Sequence, residues 1–237
     1  MATTPTATKK KIRLRGGKRH RFNLEHRPET ALDPASAVKA LRAFKQPKFD
    51  QTVNAVVSLG IDPKANDQAL RGSIAMPKGI GRSAKVICFC GADKVAAAKA
   101  AGAIEAGAEE LVSKIEGGWF DFQVAVASPD MMRVVSKLGK VLGPKGLMPS
   151  PKAGTVAPDV IAAVKEYSAG KQEYRNDDGG NVACVIGKMS FKDDDLVENL
   201  NHFIATILKV KPASAKGTYV KKCVVAASMS PGVQVAV

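Results

Sequence analysis

Residues 83–102 read SAKVICFCGADKVAAAKAAG, and they decide the fold class. Lys85 to Cys90 is a short, nearly continuous apolar run without polar alternation, as in a strand covered on both faces. Asp93 to Ala101 follows as an Ala-rich helix that Gly102 ends. The texture persists downstream. A helix is expected over Ala108 to Glu116, stopped by Gly117-Gly118, then a second apolar strand over Phe122 to Ala127. A helix over Asp130 to Leu142, a Gly/Pro-rich loop and a helix over Asp159 to Tyr167, ended by Gly170, complete the block. Buried strands alternating with helices predict βαβ units and a parallel sheet covered on both sides.

Both flanks differ from this block. Upstream, Asp33-Pro34 opens a helix as N-cap and first-turn proline, with Val38, Leu41 and Phe44 at helical spacing, and Gln46-Pro47 ends it. Residues 51–60 alternate, with Val53, Ala55, Val57 and Leu59 on one face, a half-buried strand. Asp62-Pro63 and Asn66-Asp67 mark a turn before a short strand over Arg71 to Met76. Downstream, Gln172 to Asn176 and Asn181 to Met189 are expected as strands of a hairpin around Asp177-Asp178-Gly179-Gly180. Asp193 to Val210 is a helix with Leu196, Leu200, Phe203 and Ile207 inward, and Gly217 to Met229 closes as a strand. The fold class is therefore α/β with two domains. A discontinuous α+β domain (residues 28–79 plus 171–237) receives an inserted Rossmann-like βαβ domain (80–170), and residues 1–27 form a basic extension. Two linkers joining such domains favour hinge motion.

The chain has 237 residues, of which 36 are Lys or Arg and 22 Asp or Glu, for a formal net charge of +14. A 45% hydrophobic content excludes wholesale disorder, and the charge makes a polyanionic partner the first hypothesis. Its distribution is uneven. Residues 1–27 hold nine basic groups and one acid, a net +8, leaving +6 for the rest. Such a tail is either a solvated arm or one that contacts phosphate. It is acid-poor as transit peptides are, yet Lys18 to Arg27 lacks an amphipathic apolar face, so the chain reads as cytoplasmic with organellar import left open. No run of 18 or so apolar residues could span a membrane. Cys88, Cys90, Cys184 and Cys223 form no CxxC pair and lie apart from His20, His26 and His202, so they read as core thiols and not as metal ligands.

Signals for catalysis are missing. The first βα turn, Cys90-Gly91-Ala92-Asp93, has one glycine where a dinucleotide fingerprint needs three. Gly139, Gly143, Lys145 and Gly146 do not reproduce a Walker loop. Asp193 to Asp195 begin a helix and Asp177-Asp178 fall in a turn, both ordinary places for acids. No enzymatic activity, cofactor or metal is expected. A nucleotide- or RNA-modifying enzyme and a free-standing translational repressor are the alternatives. Phe49, between Lys48 and Asp50, is either a base-stacking residue or a core residue at the start of a strand. The stretch VVSKLGKVLGPKGLMPSPKAGTV (134–156) is cationic, rich in Gly and Pro and free of acids, which suits phosphate contact.

That last stretch, with Leu142-Gly143-Pro144-Lys145-Gly146-Leu147-Met148-Pro149 and Pro151-Lys152-x-Gly154-Thr155-Val156, closely resembles the hallmark segment of the ribosomal protein L-one family in its bacterial form. Lys48-Phe49-Asp50-x-Thr52-Val53, Leu59-Gly60-Ile61-Asp62-Pro63, Ser128-Pro129-Asp130, Tyr174-Arg175-Asn176-Asp177 and Ala215-Lys216-Gly217-Thr218-Tyr219 agree in order, over roughly residues 29–235. The resemblance implies a monomer within the ribosome, at the large-subunit stalk, whose first domain grips folded rRNA. It implies further that the stalk assists movement and release of deacylated tRNA from the exit site, and that in many bacteria the same surface represses the family's own operon mRNA. The rRNA-contacting positions carry over to Lys48, Phe49, Thr52, Asp177, Ser228, Met229 and Ser230. The hallmark loop carries over to Gly139, Gly143, Pro144, Lys145, Gly146, Pro149 and Lys152. Two departures bear on affinity: Asp178 stands where the family often has Lys, and Ser228-Met229-Ser230 where it has Thr-Met-Gly.

Overall fold

The computed structural model describes residues 17–63, 65 and 67–237. Residues 1–16 of the basic extension expected over 1–27, and the Asn66 part of the expected turn, lie outside the described residues. In chain order, α1 (Lys18–Glu25) is a helix within the stretch expected as a basic extension, and α2 (Pro34–Ala43) follows. Asp33 caps α2, its carboxylate accepting from Ala35 N at 3.3 Å, and Ala37, Val38 and Leu41 face inward. β1 (Thr52–Leu59) alternates strictly, with Val53, Ala55, Val57 and Leu59 buried. β2 (Arg71–Ile74) then leads to the βαβ block.

That block comprises β3 (Val86–Phe89), α3 (Ala92–Ala100), β4 (Ala103–Gly107), α4 (Glu109–Glu116) and β5 (Val124–Ala127), with sheet order β4-β3-β5 and every pair parallel. β3 is buried on both faces. Ile87 and Phe89 meet Leu111, Ile115, Leu138 and Leu142 on one side, whereas Val86 and Cys88 meet Ala98, Val160, Val164 and Tyr167 on the other. β4 was not expected. The helix expected over Asp130 to Leu142 is broken into 3-10 turns at Pro129–Met131 and Ser136–Leu138 and two short helices, α5 (Met132–Val135) and α6 (Gly139–Leu142). Ser136 bonds back to Met132 O at 2.6 Å, and Gly139 is a poor helix former. The apolar spacing still buries Val135, Leu138 and Leu142.

α7 (Val160–Ser168), capped by Asp159, returns the chain to β6 (Gln172–Arg175) and β7 (Asn181–Lys188). These two strands are not the expected hairpin. β6 pairs with β2 in a separate two-stranded sheet and β7 pairs with β1, so the Asp177–Gly180 turn passes the chain between sheets, with only an Asn176–Val182 bridge between its arms. α8 (Asp193–Lys209), β8 (Val220–Ala227) and β9 (Val233–Val235) complete the chain. The main sheet has the order β7-β1-β8-β9, antiparallel throughout, and Leu196, Leu200, Phe203 and Ile207 of α8 join α2 in covering it. The result is the expected mixed α/β class: a parallel βαβ unit between the two parts of an antiparallel α+β unit. No helix among the described residues is long and apolar enough to cross a membrane.

All four cysteines are buried and free. Burial, with Cys90 alongside, pushes the Cys88 thiol up to about 12; burial alone pushes Cys184 to about 12 and Cys223 to about 11. The thiolate is the nucleophile, so Cys88, Cys184 and Cys223 are protected by both enclosure and protonation, and Cys90 by enclosure. A disulfide-exchange reagent at pH 7.5 should therefore label none of them in the native protein within minutes, and all four after denaturation; mass spectrometry of intact protein reads the difference.

Candidate nucleic-acid interface

β1 lies between β7 and β8, so the start of β1 meets the end of both neighbours: Thr52 pairs with Lys188, and Val53 with Ala227. A register irregularity between Val53 and Asn54 marks this end of the sheet. Three separated stretches of sequence, 48–52, 188–190 and 227–230, are thereby gathered. Ser228 donates its backbone N–H to Thr52 O (3.1 Å), while its hydroxyl accepts from Thr52 N (3.2 Å). The Ser230 hydroxyl turns inward and accepts from Ala227 N at 2.9 Å. No described non-glycine residue has a positive φ, so Ser230 sits in ordinary backbone. Lys48 is exposed, and Phe49 and Met229 are each 51% exposed. Phe49 is thus a surface ring and not a core residue.

The segment carrying Lys48 and Phe49 is tied down by residues that the sequence did not single out. Gln51, only 2% exposed, accepts from Met229 N at 2.8 Å and donates to the Gln46 side chain. Asp50 accepts from both Ser190 N (3.1 Å) and Ser190 Oγ (2.9 Å). Arg42 donates to Met189 O at 3.1 Å and to Phe191 O, and pairs with Asp193. Apart from the Gln51–Gln46 bond, each link joins residues far apart in sequence, so no local pattern could reveal it. A shallow cavity of about 630 Å³ opens beside the ring, between Arg42, Lys48, Phe49 and Met189.

Asp177 does not join this group. Ser58 pairs with Asn181 and Thr52 with Lys188, so the Asp177 turn lies at the opposite end of β1, about 20 Å away at ~3.3 Å per residue. Its carboxylate is occupied within the turn, accepting from Gly179 N (2.9 Å), Asn181 N (2.7 Å) and Asn181 Nδ2 (3.0 Å). These bonds, chiefly those from Asn181, hold its pKa below the ordinary carboxylate value. Asp178 is exposed beside it.

The hallmark loop is nearer to the first group. Gly146, Leu147 and Met148 line one wall of a cavity of about 630 Å³, and Thr52, Arg82 and Lys188 line another. The loop is braced from beneath: Pro149 is buried, Leu147 N donates to Leu142 O at 3.0 Å, and Gly146 adopts a φ of +70°, which a side chain would strain. A Cβ at Gly143 would stand 2.6 Å from Gly139 O, so this turn is closed by its glycines. Lys145 Nζ lies 3.6 Å from the centre of the Phe120 ring. Gly139 is half-buried, whereas Pro144 and Lys152 are exposed, as are Lys137 and Lys140. Between residues 131 and 158 no acid offsets these cations.

Taken together, one face combines an exposed ring, exposed cations and a hydrogen-bonded serine turn, a set suited to stacking bases and neutralising phosphates. Among the described residues no cluster of His, Cys, Asp and Glu could hold a metal ion. The fold and this face define an α/β protein with one unit inserted into another and a cationic, ring-bearing surface at one sheet end. The chain belongs to the Ribosomal protein L1p/L10e family, whose sequence pattern matches residues 41–231. It is also similar to the Large ribosomal subunit protein uL1 of Nocardioides sp., with 48% identity over 202 residues, 85% of this chain and 84% of that relative.

The buried Gln51 amide supplies a direct test of how this face is held. Gln51→Ala leaves the Met229 N–H without its acceptor and should cost about 1–3 kcal/mol in stability, read as a lowered urea midpoint with an unchanged m-value.

Proposed function

We propose that this chain is a structural protein of the large ribosomal subunit that binds folded rRNA through the face built from Lys48, Phe49, Thr52, Ser228, Met229 and Ser230. The observation that carries this reading is the exposed Phe49 ring beside a rigid turn. An aromatic side chain held in water at the rim of a cationic face is a platform for a base. The turn is built before RNA arrives, so little ordering remains to oppose binding. Asp177 contributes by shaping its turn and not by touching the same stretch of RNA.

We assign residues 28–79 and 171–237 to one rRNA-binding domain and 80–170 to a second, inserted domain. The hallmark loop, with Lys145 and Lys152, then faces RNA from the second domain. As a member of its family the protein would sit at the subunit's stalk, assist movement and release of deacylated tRNA from the exit site, and repress its own operon mRNA through the same face. In that role it would act in the cytoplasm, as a monomer in each particle. The relative's name, a large ribosomal subunit protein, supports the assembly.

Phe49→Ala should weaken binding to a transcript of the stalk rRNA by about 1–3 kcal/mol, the scale of losing one stacked base. The exposed ring contributes little to the core, so the melting temperature should not change. Gel-shift titration with a parallel thermal melt checks both. Wild-type affinity in the variant would remove Phe49 from the site. Sedimentation of cell extract on a sucrose gradient separates the ribosomal protein, which cofractionates with large subunits, from a free repressor or enzyme, which stays at the top.

A further inference from the structure

α1 is fastened to the segment that carries Lys48 and Phe49, and it is fastened by a polar residue. Asn23 is 0% exposed and grips the backbone of Lys45 on both sides: its Nδ2 donates to Lys45 O (3.2 Å) and its Oδ1 accepts from Lys45 N (2.9 Å). The Lys45 ammonium lies 3.8 Å from the centre of the Phe22 ring, which stacks on His26 with centroids 4.0 Å apart. A helix of eight residues does not hold together in water unaided, and α1 buries little apolar surface. The Asn23 clamp, beside the Lys45–Phe22 contact, therefore fastens α1 to the Lys45 backbone.

The clamp fixes cations beside the proposed RNA face. Lys45 is three residues from Lys48, at most about 11 Å along the chain. Lys18 and Arg27 are exposed and Arg19 half-exposed, and none of the three is ion-paired among the described residues. Duplex RNA seated at Phe49 carries closely spaced phosphates on either side of that contact, within reach of a cationic helix docked so near. A loose arm would also attract phosphate, but it would need no buried asparagine.

We propose that α1 is a docked annex of the RNA-binding face, in which the Asn23 clamp holds Lys18, Arg19 and Arg27 against the phosphates flanking the segment bound at Phe49. This rests on the rRNA-binding reading above and adds a second, purely electrostatic contact area to it. The clamp makes α1 act as a surface with a fixed position.

The test uses the full chain and a transcript of the stalk rRNA, with affinity measured by fluorescence anisotropy over a series of KCl concentrations. The triple variant Lys18→Gln/Arg19→Gln/Arg27→Gln keeps the clamp and should reduce the slope of log K against log salt by about 2–3, with roughly tenfold or greater weakening at low salt. Asn23→Ala removes no charge, yet it should lower the slope in the same direction because the cations are no longer held. An unchanged slope in the triple variant overturns the proposal. So does a wild-type result for Asn23→Ala alongside a weakened triple variant, which would make α1 a loose polyelectrolyte. Phe49→Ala measured in parallel separates the two levels. Its loss of affinity beside wild-type helix variants overturns only the annex, whereas wild-type affinity in Phe49→Ala removes the reading beneath it. Circular dichroism melts of each variant confirm that the core is intact, and the triple variant, altered only at surface positions, carries the test if Asn23→Ala unfolds.

Discussion

β1 pairs antiparallel with β7 on one side and β8 on the other, and this double pairing creates the candidate interface. Its register places Thr52 against both Lys188 and the Ala227–Ser228 step, joining it to residues about 136 and 176 positions away along the chain. A slip of one residue would reverse every side chain of β1, exposing Val53, Ala55, Val57 and Leu59 and dismantling the Thr52–Ser228 hydrogen bonds. The hydrophobic core and the polar turn therefore enforce the same register. Gln51, buried just before the strand, extends that order to Met229 and Gln46.

Charge and shape contribute differently to such a face. More than half of the net +14 lies in residues 1–27, whereas the group around Phe49 consists of a ring, hydroxyls, a thioether and a few cations. Cations draw a polyanion in and position it, but they carry little information about which fold of RNA has arrived. Discrimination has to come from groups fixed in place, which is the physical value of the Asp50–Ser190, Arg42–Met189 and Gln51–Met229 links. Ser230 fits the same logic. Its hydroxyl turns back to Ala227 and reinforces the turn from within.

Much of this architecture was legible in the sequence, because β1 alternates, β3 and β5 are continuous apolar runs, and α2, α7 and α8 carry helical spacing, with Asp33 and Asp159 capping α2 and α7. The elements that escaped had weak local signals. β4 is Ala-Ile-Glu-Ala-Gly, poor in β-branched and aromatic residues, and is a strand because β3 pairs with it. β9 has three residues and exists by pairing with β8. The Asp-Asp-Gly-Gly run looked like a hairpin turn, but β2 claims β6 as its partner. For the site, Lys48, Phe49, Thr52 and Ser228 to Ser230 could be named from motifs, and the fold assembles them. Asp177 belongs to the same motif set and lies at the other end of β1, because order along the chain does not encode proximity. Asn23, Arg42 and Gln51 work through backbone partners distant in sequence and left no trace a motif could carry.

The central claim is that RNA is gripped at the Thr52–Ser228 end of the main sheet. Hydrogen–deuterium exchange with and without the stalk rRNA transcript tests it most directly. The account predicts that RNA slows exchange chiefly in peptides covering residues 45–52 and 227–231, with little change at residues 177–181. Protection confined to 177–181, or absent from the first two segments at saturating RNA, would contradict it.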